Sequence, residues 1–134
     1  MALDIDAATE CLRAQAAPNS RGLCARYVRQ ALEAGGLDLT GHPAVAREYT
    51  PTLLRCGFTV VCDGPARLAN GYVPERGDVA VIQPYPGGNA AGHIAMYDGA
   101  QWISDFRQRD VWSGPGYRTY KPSIAICRPP RTSG

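Results

Sequence analysis

Cys24 and His93 are the side chains in this sequence whose types and surroundings suit nucleophilic chemistry. Cys24 falls in the run SRGLCARYVRQALEAGG, about one turn into a helix, where unpaired N–H groups and the helix dipole favour an anion and so stabilise a thiolate. A free thiol with a pKa near ~8.5 is only a few per cent ionised at neutral pH, so it also needs an activator such as an imidazole. His93 follows Gly92 and opens the strand HIAMY directly after the loop YPGGNAAG, at a sheet end beside a cleft. Taken singly, a cysteine on an apolar helix stripe is more often a small buried hydrophobe, and a lone histidine more often structural. A Cys–His pair on two rigid elements is the arrangement that covalent catalysis requires.

A base needs a third group to orient it, and the segment QWISDF after the histidine strand offers Ser104 and Asp105. The turn after Tyr97 decides between them. A two-residue turn, Asp98-Gly99, sets His93 opposite Ser104, whereas a three-residue loop, Asp98 to Ala100, sets it opposite Asp105. The carboxylate is the better orienter, because it accepts an imidazole N–H and stabilises the imidazolium, so the three-residue loop and Asp105 are expected. Asp105 as a solvated strand-end acid is the alternative.

Several elements must position these residues. A first helix is expected over 6–16, capped by Asp6, with Ala8, Cys11 and Leu12 on its apolar stripe before Pro18. A second, capped by Ser20, carries Leu23, Cys24, Tyr27, Val28, Ala31 and Leu32 at helical spacing and ends at Gly35-Gly36. A further helical stretch begins at Pro43, breaks at Pro51 and restarts with Thr50 as cap, stopping at Gly57. Strands then follow at 58–61, 78–83, 93–97, 101–106 and 124–127, separated by Gly- and Pro-rich loops at 62–77, 84–92 and 107–123. Helices first and strands afterwards argue for α+β, with an antiparallel sheet covered on one face. The loop from Tyr85 to Gly92 is expected to border a substrate groove and, with few side chains to anchor it, to be mobile.

Composition narrows the function. The chain of 134 residues fits one domain, and 45% apolar against 19% charged residues is enough to fold, while no apolar run is long enough to span a membrane. With 14 basic against 12 acidic residues there is no electrostatic footprint for nucleic acid, and Arg21, Arg26 and Arg29 read as a solvated helix face. The start, MALDIDAATECLRAQ, has no signal-peptide core. Five cysteines contain no CxxC pair and there are 2 histidines, so no metal and no cofactor is expected. Their number is odd, which leaves one thiol over from any full disulfide set. Cys56 and Cys62 bracket an extended GFTVV, roughly 20 Å apart at about 3.3 Å per residue, and are too distant to pair. Cys11 and Cys127 lie near opposite chain ends, which in compact domains are often close, so a Cys11–Cys127 disulfide is expected in an oxidising compartment.

The order of these motifs carries a resemblance. The run around Cys24 resembles the nucleophile helix of papain-like bacterial amidases, and RGDVAVI, GHIAMYDG and WISDF together resemble their histidine hairpin. The similarity is to the NlpC and CHAP branch of cysteine peptidases, and more closely to small peptidoglycan amidases delivered as type VI secretion effectors. It spans roughly residues 20 to 106. The resemblance implies a papain-like α+β fold with Cys24 as nucleophile, His93 as general base and Asp105 as third member. For the oxyanion hole it implies the nucleophile's own N–H plus an upstream polar group, for which Asn19 and Ser20 are the nearby candidates, with Tyr85 and Gly92 at the substrate groove. It further implies a monomeric enzyme that cuts an amide of peptidoglycan stem peptides or their cross-link. It also implies a cognate immunity protein as partner, synthesis in the bacterial cytoplasm, and action in the periplasm of a target cell. The same chemistry on a host protein, or a non-catalytic wall-binding or redox module with Cys24 in its core, are the alternatives.

Overall fold

In the computed structural model, residues 3–130 are described, and they form an α+β unit. Helix α1 (Ile5–Gln15) packs against α2 (Cys24–Ala34); a 3-10 turn (Ala46–Glu48) runs into α3 (Tyr49–Arg55). Asp4, not Asp6, caps α1, its side chain accepting the Ala7 N–H at 3.0 Å. Pro51 lies in the first turn of α3, where its missing N–H is not needed, so the helix is not broken there, and Thr50 is inside it rather than at its cap.

Strands β1 (Thr59–Asp63), β2 (Val79–Ile82), β3 (His93–Tyr97), β4 (Trp102–Ile103) and β5 (Ile124–Arg128) form one sheet in the order β1-β5-β2-β3-β4, every neighbouring pair antiparallel. Two further helices, α4 (Pro65–Ala69) and α5 (Pro115–Tyr120), occupy stretches that the sequence presents as loops. Each starts with proline at its first turn and is too short to show a periodic apolar stripe.

The sheet is covered on both faces, not on one. Leu12, Val28, Leu32, Tyr49 and Leu53 of the early helices pack with Val79, Val81, Ile94, Met96 and Ile103 on one side. Ala80, Ile82, Ala95, Trp102 and Ile126 face the opposite way, onto Trp112, Tyr117 and Leu68. Residues of β2 therefore alternate between two cores, and all four are buried.

The hairpin after β3 differs from expectation. Met96 pairs with Ile103 and Tyr97 with Trp102, which leaves a four-residue loop, Asp98 to Gln101. Asp98 builds it: its Oδ1 accepts the N–H groups of Ala100 and Gln101, both at 2.8 Å, and its Oδ2 meets Arg13 at 3.0 Å. The ladder stops after Ile103, where the chain folds back so that Ile103 bridges Arg107, and Asp105 is not carried opposite His93.

All five cysteines are free, so the Cys11–Cys127 disulfide is not formed. Cys127 sits within β5, flanked by Val60 and Val79 on the neighbouring strands, as a fully buried core thiol whose pKa is pushed up to about 11, chiefly by burial.

Candidate active site

Cys24 is the first residue of α2, earlier in the helix than expected. The side chain of Ser20 does not cap α2; its Oγ accepts the Gly22 N–H at 3.4 Å. The loop ahead of α2 is held from across the molecule. Asp105, fully buried, accepts the N–H of Arg21 at 2.6 Å and of Leu23 at 2.9 Å through Oδ2, while Ser104 Oγ donates to Oδ1 at 3.2 Å. The Ala17 N–H also bonds the Asp105 carbonyl at 2.9 Å. One carboxylate thus holds the loop that delivers Cys24, by pairing two N–H groups just ahead of the helix.

His93 stands at the end of β3, paired with Ile82. Gly92 precedes it at φ +72, and a Cβ there would overlap the Ile82 carbonyl oxygen, so only glycine allows this approach. The partner of the imidazole is Gln108, whose Oε1 lies 2.6 Å from His93 Nε2. Gln108 is buried, and its Nε2 donates to the carbonyls of Asp110 at 2.9 Å and Val111 at 3.5 Å. With its amide hydrogens committed, Gln108 offers only an acceptor, so His93 Nε2 must carry the proton and Nδ1 is left basic. That is the tautomer a general base needs.

Asp105 therefore does not orient the imidazole by contact; Gln108 does. Sequence reasoning missed Gln108 because its position depends on the fold-back after Ile103, where no alternating pattern exists. Asp105 still acts on the site through its charge. Burial pushes the Cys24 thiol above its usual range, and the nearby carboxylate adds to the rise; N–H groups of Ile94, Ala25 and Cys24 itself pull the other way and do not cancel it. Burial likewise lowers His93 below its ordinary 6.5, against the Gln108 hydrogen bond and the Asp105 charge, which raise it. Both shifts favour thiol and neutral imidazole at pH 7, in place of the resting thiolate expected from the helix dipole alone.

Two cavities meet at Cys24. One, of about 260 Å³, is walled by His93, Tyr85, Phe106 and Tyr117 and by the stretch from Ser113 to Gly116. The other, of about 270 Å³, is walled by Arg26, Arg29, Ala44, Val45 and Tyr49. Gly22, Cys24, Asn89 and Gly92 belong to both. Ser20 reaches the first cavity, while Asn19 is exposed and lines neither. Tyr85 is locked in place, stacked on Tyr120 at 5.2 Å and edge-on to Tyr117 at 4.8 Å, with Gly88 and Gly116 pressed against its ring. The rest of the 84–92 loop is tied to Arg47, whose N–H and Nη1 donate to the carbonyls of Ala91 and Ala90 at 2.8 and 2.5 Å. These ties are at odds with a mobile loop. A larger cavity of about 500 Å³, bounded by Tyr72, Trp102 and Trp112, contains neither Cys24 nor His93. Among the described residues, no three His, Cys, Asp or Glu side chains gather as a metal site, and no helix is long and apolar enough to cross a membrane.

No family model matches the chain, and no curated protein matches it. Solved structures do. The selenomethionine form of the type VI effector–immunity complex Tae3–Tai3 from Ralstonia pickettii contains a chain 41% identical, with a TM-score of 0.78 over 90% of this chain and 97% of that one. The native form of the same complex gives 40% identity and a TM-score of 0.80 over 93% and 98%. The chain belongs to the Tae3 family of type VI effectors. This Tae3-family chain has a buried histidine of fixed tautomer and a helix-initial cysteine on one cavity, an arrangement able to attack an activated carbonyl.

Proposed function

We propose that this protein is a peptidoglycan amidase of cysteine type, an antibacterial effector with a papain-like catalytic arrangement. The observation that carries the reading is the Gln108–His93 contact, because it leaves Nδ1 as the free base on the cavity that Cys24 also lines. On substrate arrival, His93 Nδ1 takes the Sγ proton and the sulfur bonds to the amide carbon. The C–N bond then breaks as the imidazolium returns the proton to the leaving amine, and water, deprotonated by the same imidazole, releases the acyl group from sulfur. The N–H groups of Cys24 and Ala25, at the start of α2, would serve as donors to the developing oxyanion.

Membership of the Tae3 family supports the bacterial wall as substrate, stem peptides or their cross-link, and the periplasm of a target cell as the place of action. A neighbour solved with Tai3 supports a cognate immunity protein as partner. Mass spectrometry of muropeptides incubated with the protein tests the reading. The expected result is a mass gain of one water at one amide, absent with Cys24→Ala; intact muropeptides with the wild-type protein would overturn it.

A further inference from the structure

We propose that the cavity walled by Arg26, Arg29 and Tyr49 beside Cys24 is a carboxylate subsite that holds an anionic group on the acyl side of the amide under attack. The inference rests on the amidase reading above. A substrate lying over Cys24 has one half in each adjoining cavity, because Cys24, Gly22, Asn89 and Gly92 line both. Only one of the two contains His93, and the leaving nitrogen must sit beside the imidazole that protonates it. The amine half therefore belongs on the His93 side, and the acyl half in the cavity of Arg26 and Arg29.

The two halves differ in chemistry. The His93 cavity is walled by aromatic rings, glycines and small polar residues, with no Arg, Lys, Asp or Glu. The acyl-side cavity is lined by two arginines and no acidic residue. Arg29 has one weak anionic partner, Glu33, with Nε 3.8 Å from Oε1 and the Glu33 side chain 44% exposed, a contact that a better-placed carboxylate displaces readily. Behind it stands Tyr49, 1% exposed, whose hydroxyl lies beside the Arg29 guanidinium but makes no well-formed hydrogen bond to it. A buried hydroxyl satisfied so poorly is costly, and a bound carboxylate that fixes the Arg29 guanidinium or accepts the phenol proton completes it. The cavity also opens at the positive end of α2.

The test uses cross-linked muropeptides in two sets, one with the stem carboxylates of glutamate and diaminopimelate free and one with them amidated. Wild-type protein is expected to prefer the free set by roughly 10- to 100-fold in kcat/KM, mainly through KM, as a charge-assisted Arg–carboxylate contact requires. Arg29→Gln should lose that preference by slowing the free set only, and Arg29→Lys should keep part of it. Equal slowing on both sets, or an unchanged preference, would overturn the subsite. Tyr49→Phe should narrow the preference while leaving the thermal midpoint equal or higher; a lower midpoint with the preference intact would remove the hydroxyl from the subsite. Binding of both sets to Cys24→Ala protein, with and without Arg29→Gln, separates the two failures. Arg29-dependent binding of the free set without turnover by the wild type sinks the amidase reading and keeps the subsite. Turnover without preference does the reverse, and neither binding nor turnover sinks both.

Discussion

Gln108 fixes which imidazole nitrogen carries the proton, and the effect of replacing it on the proposed reaction has a sign. Gln108→Ala leaves His93 free to rotate and to adopt the other tautomer, so kcat should fall by about 10-fold or more while KM changes little. Gln108→Glu puts a carboxylate on the Nε2 proton, favours the imidazolium and raises the His93 pKa. Because the proposed reaction needs neutral imidazole, the acidic limb of the kcat/KM profile should then move to higher pH, by about one unit or more. A limb that moves down, or stays, would reassign the base. His93 also couples folding to pH. Its folded-state pKa is depressed by burial, so as pH falls below about 6.5 the unfolded chain takes up a proton that the folded one refuses, and stability drops. Denaturation midpoints at pH 7.5 and 5.5 should show a drop that His93→Gln reduces. The elements that carry Cys24 and His93 were legible from their periodicity and flanking glycines, although α2 starts at Cys24 itself and not a turn earlier. Gln108 lies in a fold-back with no period to read.

At the scale of elements, the start of α2 depends on a residue 84 positions away, since Asp105 bonds the Arg21 and Leu23 N–H groups. Asp105→Ala strips both of these part-buried donors, so urea unfolding should show a loss of about 1–3 kcal/mol and activity should fall with the displaced cysteine. Asp105→Asn keeps an acceptor and should retain most of the stability. It also removes a negative charge that raises the Cys24 pKa, so alkylation of Cys24 by iodoacetamide at neutral pH should be faster than in the wild type. The sequence pointed to Asp105 through strand register, and the register was different because the Asp98 side chain builds a longer loop. Side-chain-made turns of this kind override the counting of turn residues. The short helices α4 and α5 escaped notice because five or six residues that begin with Pro look the same as loop.

Across the whole molecule, the last strand is bolted to the segment before β2. Asp78 is fully buried and receives Arg128 Nε at 2.8 Å, Arg128 Nη2 at 2.9 Å, the Tyr72 hydroxyl at 2.7 Å and the Glu75 N–H at 3.0 Å. Arg128→Ala leaves that carboxylate without its cation and should cost about 3 kcal/mol, read as a lower denaturation midpoint. Thiol counting gives a second global check: alkylation of the non-reduced, denatured protein should label all five cysteines, and a count of three would indicate a disulfide. The α+β class was legible because helix periodicity precedes β alternation along the chain. The second covered face was not, since its lids are the two short helices.

The two outer strands have a consequence for behaviour at high concentration. β4 is only two residues long before the chain turns back on itself, and β1 loses register between Val60 and Cys62, with Asp63 at its end. Neither offers the long, flat, unpaired backbone row on which another chain can template a further strand. Concentrated solutions of this protein should resist fibril growth, and the lag before thioflavin fluorescence should shorten only when β1 is straightened by deleting a residue between Val60 and Cys62.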